Sequence, residues 1–250
     1  MMAKEHASYL QSFRQTRISF ICDTDEDMRQ EMLKLLASSD HEPTVVCNEE
    51  ELIAHADQID LLVIATPNYL HTPTMLLWGK HNLTILVEKP AAVSMEQIHQ
   101  LESLKASPDF IARVWVAMEY RYIPAISKLA SLLPEIGEPK MVTIRENRYP
   151  FLKKVGNWNR ERRFTGDTLV EKCCHFFDLF RFILGKDFDE EIGMKSVAQR
   201  GLNYHKEDSF LTLETPIIDG AYVLMSFKDA STVSSGLDRG KFREKLSTKV

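Results

Sequence analysis

Asp60-Leu61-Leu62-Val63-Ile64-Ala65-Thr66-Pro67-Asn68 is an apolar run that stops abruptly at polar residues, and Thr84-Ile85-Leu86-Val87-Glu88-Lys89-Pro90 repeats the pattern. Short runs rich in Leu and β-branched residues, without alternation, suit strands buried on both faces, as in a parallel sheet covered by helices. Between them Thr72 stands where a helix N-cap is wanted, Pro73 at the first helical position, and Lys80-His81-Asn82 at the exit. The segment reads as one strand–helix–strand unit. In such sheets ligands lie at the carboxyl ends of the strands, where Thr66 to Asn68 and Glu88 to Pro90 fall.

The same alternation extends to either side. Met2 to Phe13 has helical spacing, Ile18 to Cys22 is a strand ending at Asp23, and a helix from Asp25 to Ala37, a strand from Thr44 to Val46 and a helix from Glu49 to Ala56 follow. Ser94 with Gln97 is a capping box for a helix ending near Ser107. Ile111 to Ala117 reads as a further strand, and Pro124 to Leu133 as a helix closed by a loop through Pro134, Gly137 and Pro139. Met141 to Arg145, Ser196 to Gly201 and Ala221 to Phe227 read as strands, the last alternating Tyr222, Leu224 and Ser226 against Val223, Met225 and Phe227. Ser231 to Val250 is polar and basic without period, and is expected to be a divergent, unstructured tail.

Composition excludes several classes. At 250 residues and a net charge of −5 with mixed signs throughout, the chain has no basic stripe for nucleic acid, and no apolar run approaches a membrane span. Cys22, Cys47, Cys173 and Cys174 lack CxxC spacing, so buried thiols in a reducing, cytoplasmic setting are expected rather than a metal site.

Two constellations carry chemistry. Asp23 follows a strand where a carboxylate can accept hydrogen bonds from the hydroxyls of a bound ligand and repel a phosphate; the alternative is that it or Thr24 caps the next helix. Glu171, His175 and Asp178 are four and three residues apart, so one helix would bring all three to one face. A carboxylate one turn from an imidazole can fix its tautomer, and His titrates near working pH.

Thr66-Pro67-Asn68-Tyr69-Leu70-His71, Gly79-Lys80-His81, Glu88-Lys89-Pro90 and the run Gly166 to Leu179 together resemble the signature of the Gfo/Idh/MocA family (glucose-fructose oxidoreductase, inositol dehydrogenase, rhizopine catabolism). The resemblance runs from about residue 2 to about residue 227. It implies an α/β chain: a Rossmann-type parallel-sheet domain over 1–120, then an α/β domain with an open, mainly antiparallel sheet over 121–230. Met1 to His6 resembles the residues just after the glycine-rich turn, so the Rossmann half is expected to lack its first strand and that loop.

Several implications about function follow from the resemblance. The family transfers a hydride between NAD or NADP and a CH–OH group of a sugar, cyclitol or polyol; a non-catalytic, truncated paralogue is the alternative. Cofactor contacts fall on Asp23, Thr66, Pro67, Asn68, His71, Glu88, Lys89, Arg121, Trp158 and Arg160. Arg121 could equally form a structural ion pair, and Trp158 could be plain core. His175 becomes the acid/base, Lys89 the stabilising charge and Glu171 the orienting carboxylate, with Lys89, His175 and Asp178 on the substrate. Glu119 stands where the family commonly has Asn, Glu171 where it has Asp, and Asp167 where it has a second Gly. Arg145, Asn147, Arg148, Tyr149 and Phe151 could line a polyol site or form an exposed strand edge. A homo-oligomer through the second sheet is also implied.

Overall fold

The computed structural model describes residues 2–104, 107–147, 154–189, 193–200, 217–228, 231–238 and 243–249. Its helices are α1 (Met2–Gln11), α2 (Glu26–Leu36), α3 (Glu49–Ile53), α4 (His71–Trp78), α5 (Met95–Ser103), α6 (Pro108–Arg113), α7 (Pro124–Ile136), α8 (Arg162–Thr165), α9 (Thr168–Glu171) and α10 (Cys174–Leu184). Its strands are β1 (Phe20–Cys22), β2 (Thr44–Val46), β3 (Leu61–Ile64), β4 (Thr84–Val87), β5 (Val114–Val116), β6 (Met141–Asn147), β7 (Met194–Arg200), β8 (Ile218–Phe227), β9 (Ser231–Asp238) and β10 (Arg243–Lys249). The chain divides into two compact units, one of Met1–Thr66, Leu70–Ala91 and His99–Ala117, the other of Pro67–Tyr69, Ala92–Ile98 and Met118–Val250.

Every strand pair of the first unit is parallel: β1 with β2, and β3 with β4 with β5. The two apolar runs pair in register, Leu61 opposite Thr84 and Ile64 opposite Val87. Ile64, Ile85 and Val87 pack with Met75 and Trp78 of α4 and Phe110 of α6. Met75 and Trp78 lie one helical turn apart and are almost wholly buried; each such side chain contributes roughly 2–3 kcal/mol by leaving water. A separate cluster joins Ala7 of α1, Ile21 of β1 and Leu36 of α2.

Several expected boundaries move, three of them with a clear physical cause. Helix α4 begins at His71, so Thr72 is inside it, and its hydroxyl donates to the Ala91 carbonyl oxygen at 2.8 Å instead of capping. Ile111 to Arg113 are helical because Ser107 caps α6 with Pro108 in its first turn, leaving β5 only Val114–Val116. Helix α7 runs through Pro134 to Ile136, since its apolar face of Ile126, Leu129 and Leu133 packs into the second core, and Gly137 ends it at a φ of 79°.

The second unit holds a five-stranded sheet in the order β10-β6-β9-β8-β7. Only β6 and β9 pair in parallel; the other three pairs are antiparallel. Along β8 the alternation read from sequence holds: Val223, Met225 and Phe227 pack in one core with α10, while Tyr222 and Leu224 face outward. The expected unstructured tail is corrected, because β9 and β10 extend the sheet on both sides of β6. Their backbones are recruited by neighbouring strand edges, which polar residues satisfy as well as apolar ones. No helix among the described residues is long and apolar enough to cross a membrane.

Candidate active site

In the first unit the strand ends converge as the sequence implies. His71, buried at the start of α4, places Nδ1 2.8 Å from the Pro90 carbonyl oxygen and Nε2 2.9 Å from that of Thr66, bridging the exits of β4 and β3. Burial pushes its pKa down against the pull of both carbonyls. A neutral ring donates to one carbonyl at a time.

Glu88 is buried, and His6 Nε2 lies 2.7 Å from its Oε1 while the Lys89 N–H donates to Oε2 at 3.3 Å. Burial alone would raise its pKa; the His6 hydrogen bond, the charges of His6 and Lys89 and the Lys89 N–H outweigh it, so the net shift is downward. Lys89 is half-buried and joined to Pro90 by a cis peptide bond. Thr66 is exposed at the end of β3.

Asp23 is exposed after β1 and its Oδ1 accepts the Asp25 N–H at 2.9 Å, while Asp25 itself caps α2 through the Met28 N–H. The capping role therefore falls to Asp25, and the Asp23 carboxylate keeps acceptor capacity for a ribose hydroxyl.

In the second unit, Pro67 and Asn68 belong with the segment that carries Tyr69. Asn68 is buried and its Nδ2 has no hydrogen-bond partner among the described residues, an unused donor. Tyr69 packs edge-on to Trp158 at 6.5 Å, and Lys154 Nζ stands 4.6 Å over the Trp158 ring. Arg160, in the same turn, is buried. Of the two readings of Arg121, the geometry gives the ion pair: Nε donates to Asp178 Oδ2 at 2.6 Å and Nη2 to Oδ1. That pairing raises the Arg121 pKa further, and it occupies the carboxylate expected on substrate.

The shared helical face of Glu171, His175 and Asp178 needs correction. Glu171 ends α9 and His175 belongs to α10. Between them the Thr168 carbonyl accepts from both the Lys172 N–H (2.9 Å) and the Cys173 N–H (3.2 Å), a widened turn. Each extra residue rotates the helix face by roughly 100°, so four-residue spacing no longer stacks the pair. Asp167, at a φ of 85°, anchors the turn by accepting the Thr168 and Ile218 N–H groups on Oδ1.

His175 is buried and its ring stacks on Tyr120, centroids 4.0 Å apart and planes 4° from parallel. Its Nε2 lies 3.7 Å from Oε1 of Glu119, the residue that departs from the family's Asn. Tyr120 in turn accepts from Lys172 Nζ, a buried ammonium 3.7 Å from Glu146 Oε1. Tyr120, Lys172 and Glu146 escape sequence reading because only the fold links these three separate elements, Tyr120 against the imidazole, Lys172 on Tyr120 and Glu146 on Lys172. Arg145 is exposed on β6, and Arg148, Tyr149 and Phe151 lie outside the described residues.

Comparison with known proteins agrees with this fold. Residues 1–115 match the oxidoreductase family's NAD-binding Rossmann fold and residues 132–241 its C-terminal alpha/beta domain. The chain belongs to the Gfo/Idh/MocA oxidoreductase family. It is 29% identical over 139 residues to inositol 2-dehydrogenase of Rhizobium meliloti, covering 55% of this chain and 40% of that protein. It is 24% identical over 196 residues to glucose-6-phosphate 3-dehydrogenase of Bacillus subtilis, covering 76% of this chain and 53% of the relative. The chain thus spans about half or less of the length of these relatives. The myo-inositol dehydrogenase of Lactobacillus casei, solved with NAD(H) and myo-inositol, superposes with a TM-score of 0.76 at 14% identity, over 98% of this chain and 67% of that one.

Proposed function

We propose that the chain serves an NAD-dependent dehydrogenase acting on a secondary hydroxyl of a polyol or sugar, NADP being the less favoured cofactor. The observation that carries this reading is the buried His175, held flat by Tyr120 with a carboxylate facing Nε2. An imidazole so held can take the hydroxyl proton as the carbinol carbon is oxidised, and the Glu119 carboxylate favours the imidazolium that results. Lys89 is assigned the charge that stabilises the developing alkoxide. Glu171 is assigned a supporting carboxylate role through the backbone turn instead of direct stacking.

The nicotinamide, when bound, supplies the hydride acceptor. The residues present suit it in part: Asp23 can accept from a ribose, Asn68 Nδ2 is an unused donor, and Thr66, Pro67, His71, Glu88 and Lys89 form the strand exits where such ligands lie. Trp158 and Arg160 are kept as secondary cofactor contacts, and Arg121 is assigned to its ion pair with Asp178. The free state of all four cysteines accords with a cytoplasmic setting. A homo-oligomer through the second sheet is supported by the outward Val197, Tyr222 and Leu224.

The test is turnover with NAD and a panel of inositols and hexoses, before and after His175→Ala. Loss of turnover by about 10²–10⁴ with cofactor affinity kept supports the assignment; unchanged turnover refutes it. Cofactor binding without turnover on any substrate favours the non-catalytic paralogue.

A further inference from the structure

The side chain of His175 has no exposed surface, yet a proton taken up by an acid/base group must reach solvent before the next turnover. Its Nε2 lies 3.7 Å from Oε1 of Glu119, whose side chain is 55% exposed. One carboxylate thus stands between the buried ring and bulk water.

The local fold fixes the backbone of Glu119 and leaves its carboxylate at the surface. Glu119 opens the short 3₁₀ turn Glu119–Tyr122, and the next two residues pin that turn to α10. Tyr120 stacks on His175, and Arg121 grips Asp178 through Nε and Nη2. An exposed glutamate samples several staggered rotamers. A gap of 3.7 Å, longer than a hydrogen bond, therefore closes and reopens by rotation of the side chain alone.

Other ionisable groups near the ring lead inward. Tyr120 presents its ring face to the imidazole, and its hydroxyl accepts from Lys172, a buried ammonium beside the buried Glu146. Glu171 is buried at the end of α9, on the far side of the widened turn. Asp178 is engaged by Arg121. The residue type at position 119 also decides what can happen there. The amide that the family commonly has can hydrogen-bond an imidazole but takes up no proton near neutral pH, whereas a carboxylate does. Transfer from imidazolium to carboxylate, with ordinary pKa values of about 6.5 and 4.3, is uphill by roughly a hundredfold. That is a small factor beside the barrier of a reaction turning over at about 10 per second.

We infer that Glu119 is the proton carrier of this site, moving the proton between the His175 imidazole and solvent. The inference rests on the dehydrogenase reading and deepens it. In the oxidative direction the substrate O–H bond breaks as a ring N–H bond forms on His175, while the carbinol hydride leaves with its electron pair for the nicotinamide. The Nε2–H bond of the imidazolium then breaks as an O–H bond forms on Glu119, which swings outward and gives the proton to water. No electrons are exchanged with the protein in either proton transfer, and reduction runs the sequence in reverse.

The full chain is labelled with ¹⁵N-histidine, and exchange of the His175 ring N–H with water is measured by NMR in the wild type, Glu119→Gln and Glu119→Asp. Glu119→Gln keeps the shape of an exposed side chain, so its melting temperature should stay within about 2 °C of wild type. Exchange should slow at least about tenfold in Glu119→Gln and be largely kept in Glu119→Asp. With a substrate that is turned over, Glu119→Gln should form its first equivalent of NADH within about fivefold of the wild-type rate. Later turnovers should be at least about tenfold slower, and added imidazole at fixed pH and ionic strength should restore them. A purely electrostatic role would slow the first turnover equally and would not be repaired by an uncharged base. Equal ring exchange in wild type and Glu119→Gln, unchanged steady turnover, or a uniform loss that imidazole does not repair overturns the inference. Ring exchange that depends on Glu119 in a chain that oxidises none of the polyols upholds the carrier and counts against the dehydrogenase reading instead.

Discussion

The rings of Tyr120 and His175 lie 4.0 Å apart and within 4° of parallel. The stack fixes the imidazole plane, and the Tyr120 hydroxyl is itself held by Lys172. Tyr120→Phe should keep the stack and lose the ammonium contact, costing about 1–2 kcal/mol of stability. Tyr120→Leu should remove both, and should lower turnover by more than its effect on melting accounts for. Equal turnover in the two variants, measured at matched folded fraction, would show that the stack does not position His175.

Gly79 ends α4 where there is no room for a side chain. A Cβ there would meet the Phe110 ring and come within 2.9 Å of the Met75 carbonyl oxygen. Gly79→Ala should destabilise by about 1–3 kcal/mol although its backbone is ordinary right-handed helix. Urea denaturation measures this, and a neutral result would mean that Phe110 shifts freely.

Acid should weaken the first unit in two stages of the same sign. His71 has a lowered pKa in the folded chain, so below about 6.5 the unfolded chain takes up the proton first and stability falls with pH. Glu88 is also lowered, and its contribution is lost as pH drops through and below the ordinary carboxylate range. His71→Gln should flatten the decline of melting temperature between pH 7.5 and 5.5 while leaving the lower stage. A wild-type melting temperature that rises over the upper interval would contradict this.

Val197 on β7 sits directly opposite Tyr222 on β8, and both are exposed. If this face joins copies of the chain, Val197→Glu should shift the sedimentation profile to monomer without lowering the melting temperature by more than about 0.5 kcal/mol equivalent. A monomeric wild-type chain would remove the oligomer from the account.

What the sequence disclosed depended on how locally each feature is determined. The runs of β3 and β4 are legible because they are apolar without alternation apart from Thr84 at the start of β4, and β8 because its alternation maps directly onto buried and exposed faces. The site was half legible. Glu88 and Lys89 are read from a strand that ends at polar residues, and His71 from the family resemblance of the Thr66–His71 motif. The widened turn at Lys172 and Cys173 did not, because a helical spacing rule assumes an unbroken hydrogen-bond ladder. In the sequence Glu119 stands out only as a departure from pattern; that it faces His175 is a property of the fold. The strands β9 and β10 carry no period of their own and are read only from the partners beside them.

The central claim is that the strand exits hold a nicotinamide dinucleotide. NADH and NADPH are titrated separately into the purified chain, following nicotinamide fluorescence alongside a thermal melt. The account predicts saturable binding that raises the melting temperature, tighter for NADH because Asp23 repels a 2′-phosphate. A chain that melts cooperatively and binds neither dinucleotide would contradict it.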